Sequence, residues 1–423
     1  MARNDIIAVH AFGEEIGKVG YDENQRRSSF QYNPDFLKSG RYSNIFPNII
    51  KRIAQPQVFR GFDHDNFRGL PPMIADSLPD MFGNTIFKAW MDAHQKDFEK
   101  ITVIEQLSYV SNRGMGALEY YPSKVIPKDT TINLDEIIRV LEQVLSSKAD
   151  IKQQGLSSSS LLNIFKIGTS AGGARPKVLI SEHKQTHQII PGDLEYSYDY
   201  NHYLVKLSIA EDLAYSREAI EFAYYLTASE AGINMMDTHM IDGKHFATRR
   251  FDRQDGRKKH ILTATGMTGW AYSGDPRNSS YENLFRLALH LKLTHSEISQ
   301  LYRRMIFNVI YANFDDHLKN HSFIYDEQQD LWQLAPAYDL TYSLNPMINV
   351  IRNNRVLSIN GKRSDILLND LLSIAEKFTI KNPKGIISQV QSAAEFWKEQ
   401  LHAQQLPEVV ISKILREMQT FDI

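Results

Sequence analysis

The residues best suited to chemistry stand in Asn313-Phe-Asp-Asp-His-Leu-Lys-Asn320 and, after a gap, at Asp339 in Leu334-Ala-Pro-Ala-Tyr-Asp-Leu-Thr341. Carboxylate, imidazole, ammonium and carboxamide crowd one short stretch. Metal-assisted phosphoryl transfer needs these parts: an Asp to take a hydroxyl proton, and an Asn and a second Asp to hold metal against phosphate. The same residues also suit a polar interhelical turn capped by Asp and Asn. The elements around them must decide.

Leu301, Met305, Ile306, Val309 and Ile310 recur at helical spacing, and the polar run begins after them, so the motif is a loop that follows a helix. Residues 321–325 and 331–334 read as a hairpin turning through Asp326-Glu-Gln-Gln-Asp330, which brings Asn320 and Asp339 side by side at its open end.

A second informative stretch is Ile167-Gly-Thr-Ser-Ala-Gly-Gly-Ala-Arg-Pro-Lys-Val-Leu-Ile180. Small residues, Gly172 and Gly173 among them, let backbone N–H groups approach phosphate oxygens, although the Walker pattern is absent. Lys177 opens a strand whose Val178 and Ile180 face the core. In residues 201–209, Tyr203, Val205, Leu207 and Ile209 share one strand face and Lys206 takes the other. A lysine inside an apolar strand needs an anion, of which nucleotide phosphate is one candidate, or it snorkels to water. The following helix, 215–231, carries Glu221 where a kinase's helix glutamate would pair with the strand lysine; a surface glutamate is the plainer alternative.

Asp242-Gly243 signals a hairpin between 238–241 and 245–249 that runs on into Arg249-Arg-Phe-Asp-Arg253, the expected place of a lobe hinge. Gly114 and Gly116 read as turn glycines rather than a phosphate loop. The amino-terminal part is β-rich, with helices expected at 85–99 and 134–145. Beyond residue 254 the pattern is helical, at 282–291, 294–313, 366–378, 383–401 and 407–420. Each element is weak evidence alone. Their order, with glycine-rich loop, strand lysine, helix glutamate, hinge, Asp loop, hairpin and Asp, is that of a kinase.

Composition bounds the reading. The 423 residues, 42% hydrophobic, suffice for two or three domains with substantial cores. Without cysteine there is no disulfide, thiolate nucleophile or Cys-ligated metal. A net charge of −2 and a pI near 6.7 give no global attraction to nucleic acid. Neither a signal peptide nor a membrane span is legible, so the expected location is cytoplasmic, with no membrane role.

On Gly173-Ala-Arg-Pro-Lys177, Arg250-Phe-Asp-Arg253, Asp315-Asp-His-Leu-Lys-Asn320 and Ala337-Tyr-Asp-Leu340, and over nearly its whole length, the sequence resembles the HipA family of serine/threonine kinases, toxins of bacterial HipBA-type modules. The resemblance implies ATP and Mg²⁺ as cofactors. It makes Asp315 the catalytic base, His317 a structural member of its loop, Lys319 a neighbour of the transferred phosphate, and Asn320 and Asp339 the metal ligands. Lys206 becomes the ATP-phosphate lysine with Glu221 in its partner's place; Lys177, Gly172, Gly173, Arg249 and Phe251 complete the nucleotide-binding set. Ser170, or its neighbour Thr169, falls at the family's autophosphorylated position. Arg249 departs from the pattern, since some relatives carry an acidic residue there to read adenine.

The implied fold is α+β, two-lobed and kinase-like: residues 1–124 as the HipA amino-terminal domain, 125–253 as the nucleotide-binding lobe and 254–423 as a helical catalytic subdomain. The implied partners are a protein substrate of the translation machinery, such as an aminoacyl-tRNA synthetase, and a HipB-like helix-turn-helix antitoxin through which DNA would mainly be bound. A non-catalytic nucleotide-binding corepressor and a small-molecule kinase are the competing expectations.

Overall fold

The computed structural model describes residues 6–62, 65–79, 81–93, 97–124, 137–139, 141, 175–192, 197–209, 215–271, 277–343 and 354–423. Sheets and helices both contribute, giving a mixed α+β protein. The chain forms two compact units, one of residues 1–211 and 241–262 and the other of residues 212–240 and 263–423.

In the first unit, β1 (Ile6–Ala11), β2 (Glu14–Asp22), β3 (Arg27–Tyr32), β4 (Gln57–Phe59) and β5 (Glu119–Tyr121) form an antiparallel sheet ordered β4–β3–β2–β1–β5. Alternation sets its buried face: Ile7, Val9 and Ala11 of β1 and Phe30 and Tyr32 of β3 are buried, with the half-buried Ala8 and His10 and the exposed Gln31 between them. A second sheet places β6 (Lys177–His183) between β7 (Ile189–Pro191) and β8 (Tyr200–Lys206), and β8 also pairs with the His245–Arg249 strand. Val178, Ile180, Val205, Leu207 and Ala247 face one core together with Ile86, Phe87, Trp90 and Tyr109, and Tyr203 and Ile209 pack against its rim. This is the strand face anticipated from alternation. The expected 85–99 helix runs earlier, Met81–Ala93, followed by a 3₁₀ turn at Phe98–Lys100. Of the 134–145 helix, residues 137–139 and 141 are helical, and the rest lies outside the described residues.

The second unit is built on the His295–Ile310 helix, started by a capping box between Thr294 and Glu297. Its Leu301, Met305, Ile306, Val309 and Ile310 are buried, as their spacing requires. Trp397, wholly buried, packs edge-on against Tyr224 and Tyr311. Tyr224 donates to the Tyr311 carbonyl at 2.6 Å, so the Arg217–Glu230 helix is pinned where the central helix ends. The apolar run at 383–401 comes as two helices, Pro383–Ser392 and Ala394–Ala403, parted at Ala393. Among the described residues, no helix is long and apolar enough to cross a membrane.

Candidate active site

The central helix ends at Tyr311, and the chain enters the Asn313–Asn320 stretch as an irregular loop closed by a single 3₁₀ turn, Leu318–Asn320. The strands Ser322–Asp326 and Leu331–Leu334 then form the anticipated hairpin, with Phe323 opposite Leu334 at its open end. Beyond it, Arg304 donates to the Ala335 carbonyl at 2.6 Å and Ala337 N–H to Asn234 O at 2.8 Å, which fixes the strand-like run to Asp339. Asn320 and Asp339 line one small cavity together with Arg304, Asn308, Asn313, Asp316 and His321.

Each side chain has a distinct setting. The Asp315 side chain is 67% exposed, and His317 Nε2 lies 4.0 Å from its carboxylate. The Phe314 and Asp315 N–H groups both donate to Ser343 Oγ, at 3.0 and 2.9 Å. Asn320 donates its amide N–H to the Asp315 carbonyl at 2.9 Å, leaving the amide oxygen for the cavity. Tyr338 donates to the Lys319 carbonyl at 2.6 Å, tying the half-buried lysine's turn to the segment that carries Asp339. Asp339 has φ +54°, a left-handed conformation uncommon for a residue with a side chain and often found where function fixes geometry.

Sequence reasoning overlooked the group that holds this loop. Asp316, next to the exposed Asp315, is buried and accepts four hydrogen bonds: from Tyr281 Oη at 2.9 Å, Arg355 at 3.0 Å, and Val356 N–H and Leu357 N–H at 3.1 Å each. Burial raises its pKa, and Arg355 and the hydrogen bonds oppose that rise. Tyr281 accepts from Asn308 at 2.9 Å, Asn313 donates to Asn308 Oδ1 at 3.0 Å, and the same Asn313 amide lies 3.4 Å from the Asp339 carbonyl. A continuous buried relay therefore runs from Asp316 to the main chain of Asp339. The only sequence signal available was the acidic pair Asp315-Asp316, and contacts from residues 281 and 355 are too distant in the chain to be read from spacing.

In the other unit, Lys177 and Lys206 face each other across β6 and β8 in direct register. Both are buried, at 4% and 6% exposure, on the sheet face opposite the core, and Lys206 Nζ stands 5.7 Å from the Phe246 ring centroid. Two ammonium groups on opposed positions repel unless anionic groups accompany them. Glu221 is buried on the Arg217–Glu230 helix of the second unit, so it is not a surface glutamate. Arg249 ends its strand opposite Tyr203, and Arg249 and Phe251 are half-buried. Gly172, Gly173, Thr169 and Ser170 lie outside the described residues.

The run expected to serve as a hinge is a buried ionic knot. Arg250 grips Asp252 through two hydrogen bonds of 2.8 and 2.7 Å, and Arg253 adds a third at 2.7 Å. Gly116 N–H donates to the same carboxylate at 2.8 Å, while Arg253 returns hydrogen bonds to the Gly114 and Gly116 carbonyls. Burial disfavours the Asp252 charge, but the two guanidiniums outweigh it and hold the carboxyl well below the usual carboxylate range. Gly114 and Gly116 are thus turn glycines that let the chain approach this knot.

The fold defines a mixed α+β protein of two compact units whose second unit brings an Asn and an Asp to one cavity beside the loop that bears an exposed Asp. The model of the HipA-like C-terminal domain matches residues 169–397, and that of the HipA N-terminal domain matches residues 7–121. The chain belongs to the HipA family. Among solved structures, HipA of Shewanella oneidensis MR-1, in complex with HipB and its operator DNA, has the same fold, with a TM-score of 0.64 at 16% identity over 97% of this chain and 94% of that one. Among curated proteins, "Putative kinase Y4dM" of Sinorhizobium fredii is 27% identical over 135 residues. That match spans 28% of this chain and 32% of the relative, so about a third of the relative's length is covered.

Proposed function

We propose that the chain is an ATP- and Mg²⁺-dependent serine/threonine protein kinase of a toxin–antitoxin module. The observation that carries the reading is that Asn320 and Asp339, distant in sequence, line one cavity next to the loop that bears Asp315. A carboxylate and an amide oxygen are hard donors of the kind Mg²⁺ accepts alongside phosphate and water. When bound, Mg²⁺ would neutralise charge on the phosphate oxygens. Asp315, exposed and held by the Ser343 bonds to its own and the preceding N–H, takes the proton of an acceptor hydroxyl; Lys319 offers positive charge near the phosphate, and His317 steadies the turn.

The buried lysines fit the remaining requirement. Lys206 and Lys177 would bind ATP phosphate, with Gly172, Gly173, Arg249 and Phe251 completing the nucleotide's surroundings, and Glu221 takes the helix glutamate's place in the kinase order. Phosphate on Ser170, or on Thr169, would place about two negative charges in that cradle and inactivate the enzyme. A HipB-like helix-turn-helix antitoxin is the partner suggested by the Shewanella complex, and the near-neutral charge of this chain leaves most of the DNA attraction to it. The target would be a translation component, such as an aminoacyl-tRNA synthetase.

Purified wild type and Asp315→Ala, incubated with labelled ATP, Mg²⁺ and a host lysate and followed by phosphosite mapping, test this reading. Label on a foreign protein and on Ser170 with wild type alone is the expected result. An active Asp315→Ala removes the base, label confined to Thr169 removes Ser170, and no transfer by well-folded wild type leaves a nucleotide-binding corepressor.

A further inference from the structure

The turn between β2 and β3 and the loop after β4 border an open cavity of about 230 Å³ lined by Gln25, Arg26, Arg27, Phe59, Arg60 and Phe62. Three guanidiniums border this one space, and none of them forms an ion pair with a described carboxylate. Two acids share this turn: Glu23, whose carbonyl accepts from Arg26 N–H at 3.3 Å, and Asp22, which stands opposite Arg27 in the strand register. The Asp22 carboxylate accepts from Gln25 N–H at 3.2 Å. Arg26 meets the Tyr21 hydroxyl, a neutral partner.

The walls are fixed in place before any ligand arrives. Gly69, at φ +84°, packs so closely on the Arg26 carbonyl that an added Cβ would lie 2.3 Å from its oxygen, and Gly69 N–H donates to Phe62 O. Tyr21 Oη donates to the Arg68 carbonyl at 2.9 Å. The turn bearing Arg26 and Arg27 is thereby tied to the loop bearing Arg60 and Phe62. Like charges gathered without counter-charge oppose folding, and they become favourable only when an anion joins them. Guanidinium N–H groups match phosphate oxygens in a bidentate fork, and three of them on one space attract such a group more strongly than a single cation does.

We propose that this cavity is a binding site for a phosphate group, separate from the phosphoryl-transfer residues. Free phosphate and the backbone phosphate of a polynucleotide share that chemistry. The test compares the full-length chain with the Arg27→Gln/Arg60→Gln double variant, using calorimetric titration with inorganic phosphate and fluorescence anisotropy with a labelled single-stranded 12-mer. Lys384→Gln, at an exposed lysine elsewhere, serves as the control.

Loss of at least about tenfold in affinity in the double variant, with the control unchanged and melting temperatures equal, is expected. If inorganic phosphate shows it, the ligand is a free phosphate; if only the oligonucleotide does, the ligand is a nucleic-acid strand. Equal binding of both probes by wild type and double variant, or no binding by wild type, overturns the proposal. Asp315→Ala binds like wild type in both assays, so failure here and failure of the kinase reading are distinguishable.

Discussion

The relay beneath the loop makes Tyr281→Phe the most informative single substitution. Only a hydroxyl is removed, and the ring keeps its packing against His321, 5.9 Å away centroid to centroid. Asp316 loses one of four donors, a hydrogen bond to a charged group that contributes about 1.5–3 kcal/mol, and the buried Asn308 amide loses its acceptor at a further cost of about 1–3 kcal/mol. Arg355 and two backbone N–H groups still hold the carboxylate, so the second unit stays folded but melts earlier. Asn308 and Asn313 are then free to shift, and with them the Asp339 carbonyl. If about 1.4 kcal/mol of the loss reaches the metal ligand, the Mg²⁺ concentration for half-maximal binding of a fluorescent ATP analogue rises about tenfold. Titration of Mg²⁺ at fixed analogue measures it, alongside a thermal melt. A lowered melting temperature with an unchanged Mg²⁺ midpoint would refute the coupling and leave Tyr281 a purely structural residue.

Three further outcomes are expected. Asp339→Asn weakens Mg²⁺-dependent binding of the analogue while metal-free binding is unchanged; an unaltered Mg²⁺ midpoint would remove Asp339 from the ligand set. Asp252→Asn leaves two buried guanidiniums without their counter-ion and destabilises the first unit by about 3–5 kcal/mol, read by urea unfolding; a loss under 1 kcal/mol, on the order of a surface pair, would contradict the buried knot. His260 is held neutral by burial, its pKa lowered to about 3, so the unfolded chain binds the extra proton. Its contribution is complete above about pH 6.5 and is lost as pH falls toward the folded pKa, at roughly 1.4 kcal/mol per pH unit, and His260→Leu should flatten the dependence of melting temperature on pH across that window.

The loop, the hairpin and the lysine-bearing strand were legible because each rests on local periodicity. Five apolar positions on the 295–310 helix announce where it stops, and alternation in 201–209 separates Lys206 from Val205 and Leu207. The hairpin turn Asp242-Gly243 likewise reveals itself, both residues taking positive φ. What escaped depends on contacts between distant residues. Asp316 reads as a second loop acid, yet its partners come from residues 281 and 355–357. Arg250-Phe-Asp-Arg253 reads as the place of a lobe hinge, and its burial as an ionic knot depends on the return of Gly114 and Gly116 from more than a hundred residues away. The break at Ala393 leaves the apolar period almost intact, so pattern alone joins the two helices.

That knot also bears on how the family's two modules can evolve. Gly116 and Glu119, on the amino-terminal module, satisfy Asp252 and Lys258, which lie within the carboxy-terminal one. Phe46 likewise meets the buried ring of His260 edge-on. A chain given another relative's amino-terminal module would keep Arg250 and Arg253 around Asp252, but it would need a backbone N–H delivered at position 116 and an acid at 119 for Lys258. The two modules are therefore not exchangeable cassettes, and substitutions at 116 or 119 on one side constrain those tolerated at 252 and 258 on the other.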